Sequence, residues 1–362
     1  MIDKVKRYDK NMIKITSKQQ KIILILLEKS PLSSSDIHKE LKIRGEQVSL
    51  VTIKRELSKM ALLKLLEIKG SGPSTRYEVS VTGRIYADID AKSYCVVETD
   101  KRFGSSHFNF NLLSDFPADL FSTRELQTLT EATREYRQRI AKVSDTIQKK
   151  ELERLIIELS WKSSRIEGNT YTLLETEKLI LENKKAQGHS KSEAQMILNH
   201  KAAFTFIHEN TKFFKKLTRA NLDHLHALIV KDLNIGKGFR KKPVGILGSK
   251  YRPPDNIHQI NDAVADLSQL TSKLKSPYAK SLVALLGISY IQPFEDGNKR
   301  CARLMANALL MAHGGAPLSY RSVDENEYRE ATLVFYEINS IVPFKKIFIA
   351  QYDFAAHNYT LK

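Results

Sequence analysis

The sequence predicts a mainly α-helical protein with two small β elements. Three observations carry this. From Ser122 onward, apolar residues recur at helical spacing through most of the chain. Ahead of that, residues 1–80 read as three short helices and a hairpin. A further hairpin signal, within Phe239–Pro254, interrupts the helical part.

The first helix is expected over Ser17–Glu28, a dense apolar stripe that stops at Ser30-Pro31. Ser33–Ser35 would cap a short helix, Asp36–Leu41, with Gly45 in the next turn. Ser49 would cap a third helix through Met60, with Val51, Leu57 and Met60 facing inward. Leu62–Ile68 and Arg76–Ser80 read as strands joined by the turn-rich Gly70-Ser71-Gly72-Pro73-Ser74. Three helices and a hairpin is the order of a winged helix-turn-helix. In that fold the third helix enters the DNA major groove and the hairpin lies near backbone phosphates. Lys54, Arg55, Lys59, Lys69 and Arg76 would supply those contacts. A solvated basic face on a protein-binding module is the plainer alternative.

Residues 81–121 read as a connector, with strand-like content at Tyr94–Thr99. Ser122 followed by Glu125 is a capping-box pair that opens a long helix. Helical spacing then recurs in Gln148–Ser163, Leu173–Asn183, Glu193–Asn210, Asn221–Leu233, Asn261–Leu274, Tyr278–Tyr290, Lys299–His313 and Tyr328–Tyr336.

Composition narrows the class. Among 362 residues, 42% are hydrophobic and 27% charged, as in globular proteins. No apolar run reaches bilayer length, and the charged Met1–Lys10 lacks the apolar core of a secretory signal. Two cysteines, Cys95 and Cys301, make no disulfide framework and no zinc spacing, so a reducing cytoplasm is the expected location. The 58 Lys and Arg against 41 Asp and Glu leave a net charge of +17, which favours polyanionic partners. Residues 1–80 hold 17 of those cations and 9 of the anions, nearly half the excess.

The most informative stretch is Gln292-Pro293-Phe294-Glu295-Asp296-Gly297-Asn298-Lys299-Arg300, continuing to Arg303. Pro293 and Gly297 break one helix, and another restarts near Lys299. A loop that feeds a helix N-terminus offers unpaired N–H groups at a positive dipole end. Arg300, Arg303 and Asn307 follow i, i+3, i+7 and share a face, and guanidinium forks match phosphate oxygens. Glu295 and Asp296 stand just upstream, where a carboxylate beside phosphates would hold Mg²⁺. Singly, these residues read as a loop ion pair and solvated arginines. Together they read as a nucleotide-triphosphate site.

This stretch resembles the Fic motif, HPFx(D/E)GNxRxxR. Gly238–Pro254 resembles the target-positioning flap of the same proteins, with Val244, Gly245, Ile246, Leu247 and Gly248 at its centre. Ser163-Ser164-Arg165-Ile166-Glu167-Gly168 resembles their inhibitory (S/T)xxxE(G/N) motif. The resemblance spans about 122–362 and implies a Fic-type helical bundle, with an inhibitory helix at about 150–168. It implies binding of ATP with Mg²⁺ and AMP transfer to a hydroxyl of a protein target not identified by the sequence. By motif position, Asp296 would bind the metal, and Phe294 would anchor the loop. Gly297, Asn298 and Lys299 would cradle anions, while Arg300 and Arg303 would grip the phosphates. Glu167, with Ser163 and Gly168, would block Arg303, within one chain or across a homodimer.

Two departures bear on activity. The family's catalytic His is Gln292, and an amide cannot accept the hydroxyl proton. Losing a general base costs about 10²–10⁴ in rate. His224, His226 and His258 replace it only in principle. Lys299 stands where AMP-transferring members usually have Gly; Doc-type phosphotransferases also carry Asn-Lys-Arg here. Three readings follow: a weak, autoinhibited adenylyltransferase, a Doc-like phosphotransferase, or a catalytically dead, nucleotide-sensing DNA-binding regulator. Tyr320, Arg321 and Tyr328 receive no role.

Overall fold

The computed structural model describes residues 14–360, so the charged Met1–Lys10 stretch lies outside the described residues. The chain forms two compact units. One comprises the described residues up to Leu120, with Ile246–Arg252 and Glu330–Lys345. The other comprises Phe121–Gly245, Pro253–Arg329 and the described residues from Lys346.

The first unit opens with α1 (Ser17–Lys29), capped by Thr16 and Gln19 in a reciprocal box. α2 (Ser34–Ile43) starts with the same device at Ser33 and Asp36. Ser49 caps α3 (Leu50–Leu62) through the Thr52 N–H. The three helices bury Ile22, Ile23, Leu26, Ile37, Leu41, Ile53, Leu57 and Met60 in one core. Val51, expected inward, is 78% exposed. Ile53, Leu57 and Met60 follow i, i+4, i+7 and take the inner face; Val51, two residues from Ile53, points the other way.

Leu62 closes α3 instead of opening a strand, and the left-handed Lys64 (φ 56°) turns the chain. β1 (Leu66–Lys69) then pairs antiparallel with β2 (Arg76–Val79), Leu66 opposite Val79 and Lys69 opposite Arg76. The turn between them needs a glycine at 70. Its φ is +74°, and a Cβ there would lie 2.9 Å from the Ser74 carbonyl oxygen.

Beyond the sheet come α4 (Val81–Ile85) and α5 (Ala91–Val96). The strand expected at Tyr94–Thr99 is therefore a helix over its first residues. Asp90 caps it through the Ser93 N–H at 2.6 Å, and Tyr94 is buried with its hydroxyl on Glu337 at 2.7 Å. The cap and this burial override the β-branched content.

The second unit is all helix among its described residues. α6 (Thr123–Ile140) starts on the expected Ser122/Glu125 box. α7 (Asp145–Ile166), α8 (Leu173–Glu182), α9 (Lys191–Glu209) and α10 (Arg219–Ile229) follow. Next come α11 (Ile257–Lys273), α12 (Pro277–Ile291) and α13 (Asn298–Ala312). α14 (Glu325–Ile338) begins in this unit, and α15 (Val342–Asn358) ends in it. α15 has no counterpart among the sequence expectations, because Pro343 in its first turn and the buried Lys345 interrupt the apolar pattern.

Apart from Lys280, α12 is buried from Tyr278 to Ile291, which makes it the central helix. Gly287 admits the close approach of Leu267 on α11, whose Cδ1 would lie 2.5 Å from an added Cβ. α13 packs along α12, where the Ser281 hydroxyl donates to the Ala306 carbonyl at 3.0 Å, and its Cys301, Leu304, Met305 and Ala308 are all fully buried. The loop between these two helices is thus held at both ends by buried helices.

The hairpin expected within Phe239–Pro254 is absent: this stretch has no two paired strands, but a turn in which the Ser249 N–H reaches the Ile246 carbonyl at 3.2 Å and an isolated parallel bridge between Arg252 and His107. Leu247 at its tip is fully exposed. Side chains fix the segment instead of a β ladder, as described next.

Candidate functional site: a loop-to-helix anion cradle with a carboxylate on its arginine

α12 ends at Gln292, which is left-handed (φ 50°) and mostly buried. Pro293 prevents continuation. Phe294 then turns fully inward, its ring stacked 3.7 Å from His226 and edge-on to Phe239 at 5.5 Å. Burying such a ring contributes roughly 2–3 kcal/mol. Asn298 closes the loop on itself. Its Oδ1 accepts the Phe294 N–H, and its Nδ2 donates to the Phe294 carbonyl, both at 2.8 Å. His226 Nε2–H donates to the Asp296 carbonyl at 3.0 Å. Arg240 donates its N–H to the Pro293 carbonyl (2.9 Å) and Nε–H to the Gln292 carbonyl (2.7 Å). The same guanidinium reaches the carbonyls of Lys242 and Pro254. It therefore ties the motif loop to the base of the flap-like segment.

These side chains consume the loop's carbonyls and leave donors at the start of α13. Its cap is Gly297 (φ 79°), which has no side chain to satisfy the first N–H groups. A Cβ there would strain this conformation and press to 3.3 Å from Ile229. Two guanidiniums stand on the same helix. Arg300, 2% exposed, donates to Asp296 Oδ2 at 3.2 Å. Arg303, fully buried, donates to Ser163 Oγ and Ser163 O at 2.8 Å each, and to Glu167 Oε1 at 2.9 Å. On each arginine Nη1 is buried without a hydrogen-bond partner among the described residues. Two buried, charged donors left open are costly unless an anion takes them.

Glu167 caps the C-terminus of α7, and Gly168 (φ +95°) turns the chain away behind it. Lys299 Nζ lies 3.6 Å from the second Glu167 oxygen. Burial alone would push this carboxyl up; Arg303 and Lys299 outweigh it and hold the group below the ordinary carboxylate range, so it is ionised. The structure therefore brings together Ser163, Glu167, Lys299, Arg300 and Arg303, drawn from two helices far apart in sequence.

Other expected residues separate from this cluster. Asn307 does not join the arginines: it is buried and bonds the Leu318 N–H and carbonyl (2.7 and 2.9 Å). Asp296 keeps its side chain 58% exposed at the rim of a cleft of about 560 Å³, lined also by Lys185, Lys191 and Asp232. Asp296 would hold Mg²⁺ as one carboxylate alongside phosphate oxygens, because no group of three metal-ligating side chains occurs among the described residues. Gln292 donates Nε2–H to the Ser289 carbonyl at 2.6 Å, which leaves its Oε1 as an acceptor.

The histidines do not supply a base. His226 is pushed down to about 4, chiefly by burial, and is occupied with the loop backbone. His224 stacks on Phe206, and His258 is exposed on α11. His200 on α9 is buried with both ring nitrogens unpartnered; burial, then the nearby Arg303 and Arg300, push it down to about 3.

The flap-like segment divides between the units. Val244 and Gly245 end one stretch, and Ile246, Leu247 and Gly248 begin the other. Within the first unit, Arg102 Nη1–H donates to the Gly248 carbonyl at 2.9 Å, and Ser249 Oγ–H to the buried Glu337 at 2.7 Å. In the same unit Lys54, Arg55 and Lys59 are exposed on α3, and Arg76 is half-buried on β2.

Sequence reasoning missed Arg240 and Glu337. Each acts on residues distant in the chain; Arg240 lies in the flap-like stretch but away from its centre, and Glu337 lies in no motif, so nothing local marks their roles. Asn298 was legible only by motif position; its side chain closes the loop while its backbone starts the helix.

The fold and the loop-to-helix site together define a mainly helical domain of the Fic type. Two solved structures share it. Fic-1 from C. elegans superposes with a TM-score of 0.55 at 18% identity, over 65% of this chain and 70% of that one. A Fic domain containing signaling protein from Bacteroides thetaiotaomicron gives 0.54 at 19%, over 64% and 94%. In sequence, residues 216–310 match the Fic/DOC family. Relatives named Protein adenylyltransferase Fic include one from Aedes aegypti, 28% identical over 59% of this chain and 44% of the relative. One from Culex quinquefasciatus is 31% identical over 51% and 37%, and one from Nematostella vectensis 27% over 46% and 40%. The chain spans less than half the length of these relatives. No helix among the described residues is long and apolar enough to cross a membrane.

Proposed function

We propose that this protein binds ATP on the cradle formed by Gly297, Asn298, Lys299, Arg300 and Arg303, and transfers AMP to a hydroxyl of a protein target. One observation carries the reading: the open, buried Nη1 donors of Arg300 and Arg303 beside a helix N-terminus with an uncapped start. Arg300 and the first α13 N–H groups bind the α- and β-phosphates; Arg303 binds the γ-phosphate. A Mg²⁺ ion held by Asp296 would neutralise charge on the phosphates. Transfer forms a bond from the target oxygen to the α-phosphorus and releases pyrophosphate. Gln292 Oε1 accepts a hydrogen bond from the attacking hydroxyl and orients it. Its proton passes to water, because the amide cannot take it, so turnover is slow.

Glu167 restrains the site, because its carboxylate holds the guanidinium that the γ-phosphate needs. Glu167→Gly is expected to tighten ATP binding by about tenfold, equivalent to ~1.4 kcal/mol, and to increase labelling of protein from α-labelled ATP. Label arriving only from the γ position would overturn AMP transfer in favour of phosphotransfer, the reading Lys299 favours. Retained ATP binding with no label from either position would favour a nucleotide-sensing regulator.

A second activity rests on the first unit. The exposed Lys54, Arg55 and Lys59 on one helix, beside a two-stranded sheet, match the winged-helix arrangement and support DNA binding. Affinity for duplex DNA is expected to fall steeply with salt, and Lys54→Ala with Arg55→Ala to reduce the salt slope by about two. Binding indifferent to both changes would remove this role.

A further inference from the structure

The C-terminal turn of α7, which presents Glu167, is gripped by the first turn of α14. Asp324 caps α14 by accepting the N–H groups of Asn326 (2.9 Å) and Glu327 (3.0 Å), which sets the turn's direction. Glu325 Oε1 then accepts from Lys162 Nζ (2.9 Å) and Arg165 Nε (3.0 Å), both on α7. Lys162 is only 7% exposed, and that carboxylate is its ion-pair partner. Arg329 donates through Nη2 (2.7 Å) and Nε (3.1 Å) to the carbonyl of Ile166, the residue before Glu167. That carbonyl is one of the orphan acceptors of the α7 terminus. Between these two residues, the Tyr328 ring lies 5.7 Å from the Arg303 guanidinium carbon. One helical turn thus bonds the residue before Glu167 and sets a tyrosine ring beside Arg303.

We propose that Glu325 and Arg329 are positioning residues that hold Glu167 on Arg303, and that loosening this turn releases the restraint. The inference rests on the reading of Glu167 as a competitor of the γ-phosphate. A residue that merely stabilised the fold would, on removal, weaken nucleotide binding or leave it unchanged. A latch predicts the opposite sign. Arg329→Ala frees the Ile166 carbonyl, and Glu325→Ala frees Lys162 and Arg165. In each case the end of α7 frays, and Glu167 competes less well.

The test is ATP affinity by calorimetry for Arg329→Ala, Glu325→Ala and Arg329→Lys, each with and without Glu167→Gly. Amide hydrogen exchange of residues 163–169 is followed without nucleotide. In the otherwise intact chain both alanine variants are expected to tighten ATP about three- to tenfold and to speed exchange in that segment. Arg329→Lys, which keeps a donor for the carbonyl, is expected to behave as the parent. In the Glu167→Gly background, which already lacks the competing carboxylate, the alanine changes are expected to have no effect on affinity. Faster exchange without tighter ATP, or an equal shift in both backgrounds, would overturn the latch while leaving the cradle intact. A Glu167→Gly chain that takes up no ATP would overturn the cradle itself and the latch with it. Should Glu325→Ala fail to fold, the exposed Arg329 carries the same comparison through Arg329→Ala and Arg329→Leu, neither of which keeps a donor.

Discussion

Gln292→His, made in the Glu167→Gly background, is expected to raise the rate of α-label transfer by about 10²–10⁴. The position is prepared for it. Gln292 stands at the end of the buried α12, with Pro293, Phe294 and Arg240 holding the backbone on either side. Position 292 is left-handed and only 7% exposed, so a histidine there would have little freedom to point elsewhere. Its imidazole has a ring nitrogen able to take the hydroxyl proton that the carboxamide cannot. Initial rates at matched ATP concentrations check this. No gain, in a variant that binds ATP as tightly as its parent, would mean that proton removal does not limit the reaction.

Arg303→Ala is expected to lose ATP binding and also to destabilise the protein by about 3–5 kcal/mol. The guanidinium is fully buried and makes three hydrogen bonds to α7. Removing it strands the Glu167 carboxylate with Lys299 alone, at 3.6 Å. It also opens a cavity between α13 and α7. Denaturant unfolding reads the loss as a lower midpoint at unchanged slope. Adding Glu167→Ala should restore part of it, because the stranded charge is then gone. A single variant as stable as the parent would show that the pair is not a buried ion pair in solution.

Much of this was legible because it is local. Capping boxes at Ser33 and Ser122, and Pro293 and Gly297 around the loop, act through neighbours a few residues away. The expected α3, α12 and α13 accordingly lie close to where their patterns place them. The misses were of a different kind. Tyr94–Thr99 has strand-forming residues, but Asp90 and the distant Glu337 turn the first of them into a helix. The flap-like segment reads as a hairpin, yet Arg240, Arg102 and Glu337 hold it without a strand partner. Neither long-range anchor leaves a periodic signal.

By itself the order of residues determined a helix that starts on a glycine, carries two arginines one turn apart and follows an acidic loop; backbone sterics and helix geometry suffice for that. Only the folded chain decided that a carboxylate 136 residues away from Arg303 sits on its guanidinium, and that a turn of α14 bonds the carbonyl of the residue before it. Pairing across such distances depends on burial in a shared core, which no stretch of sequence contains alone.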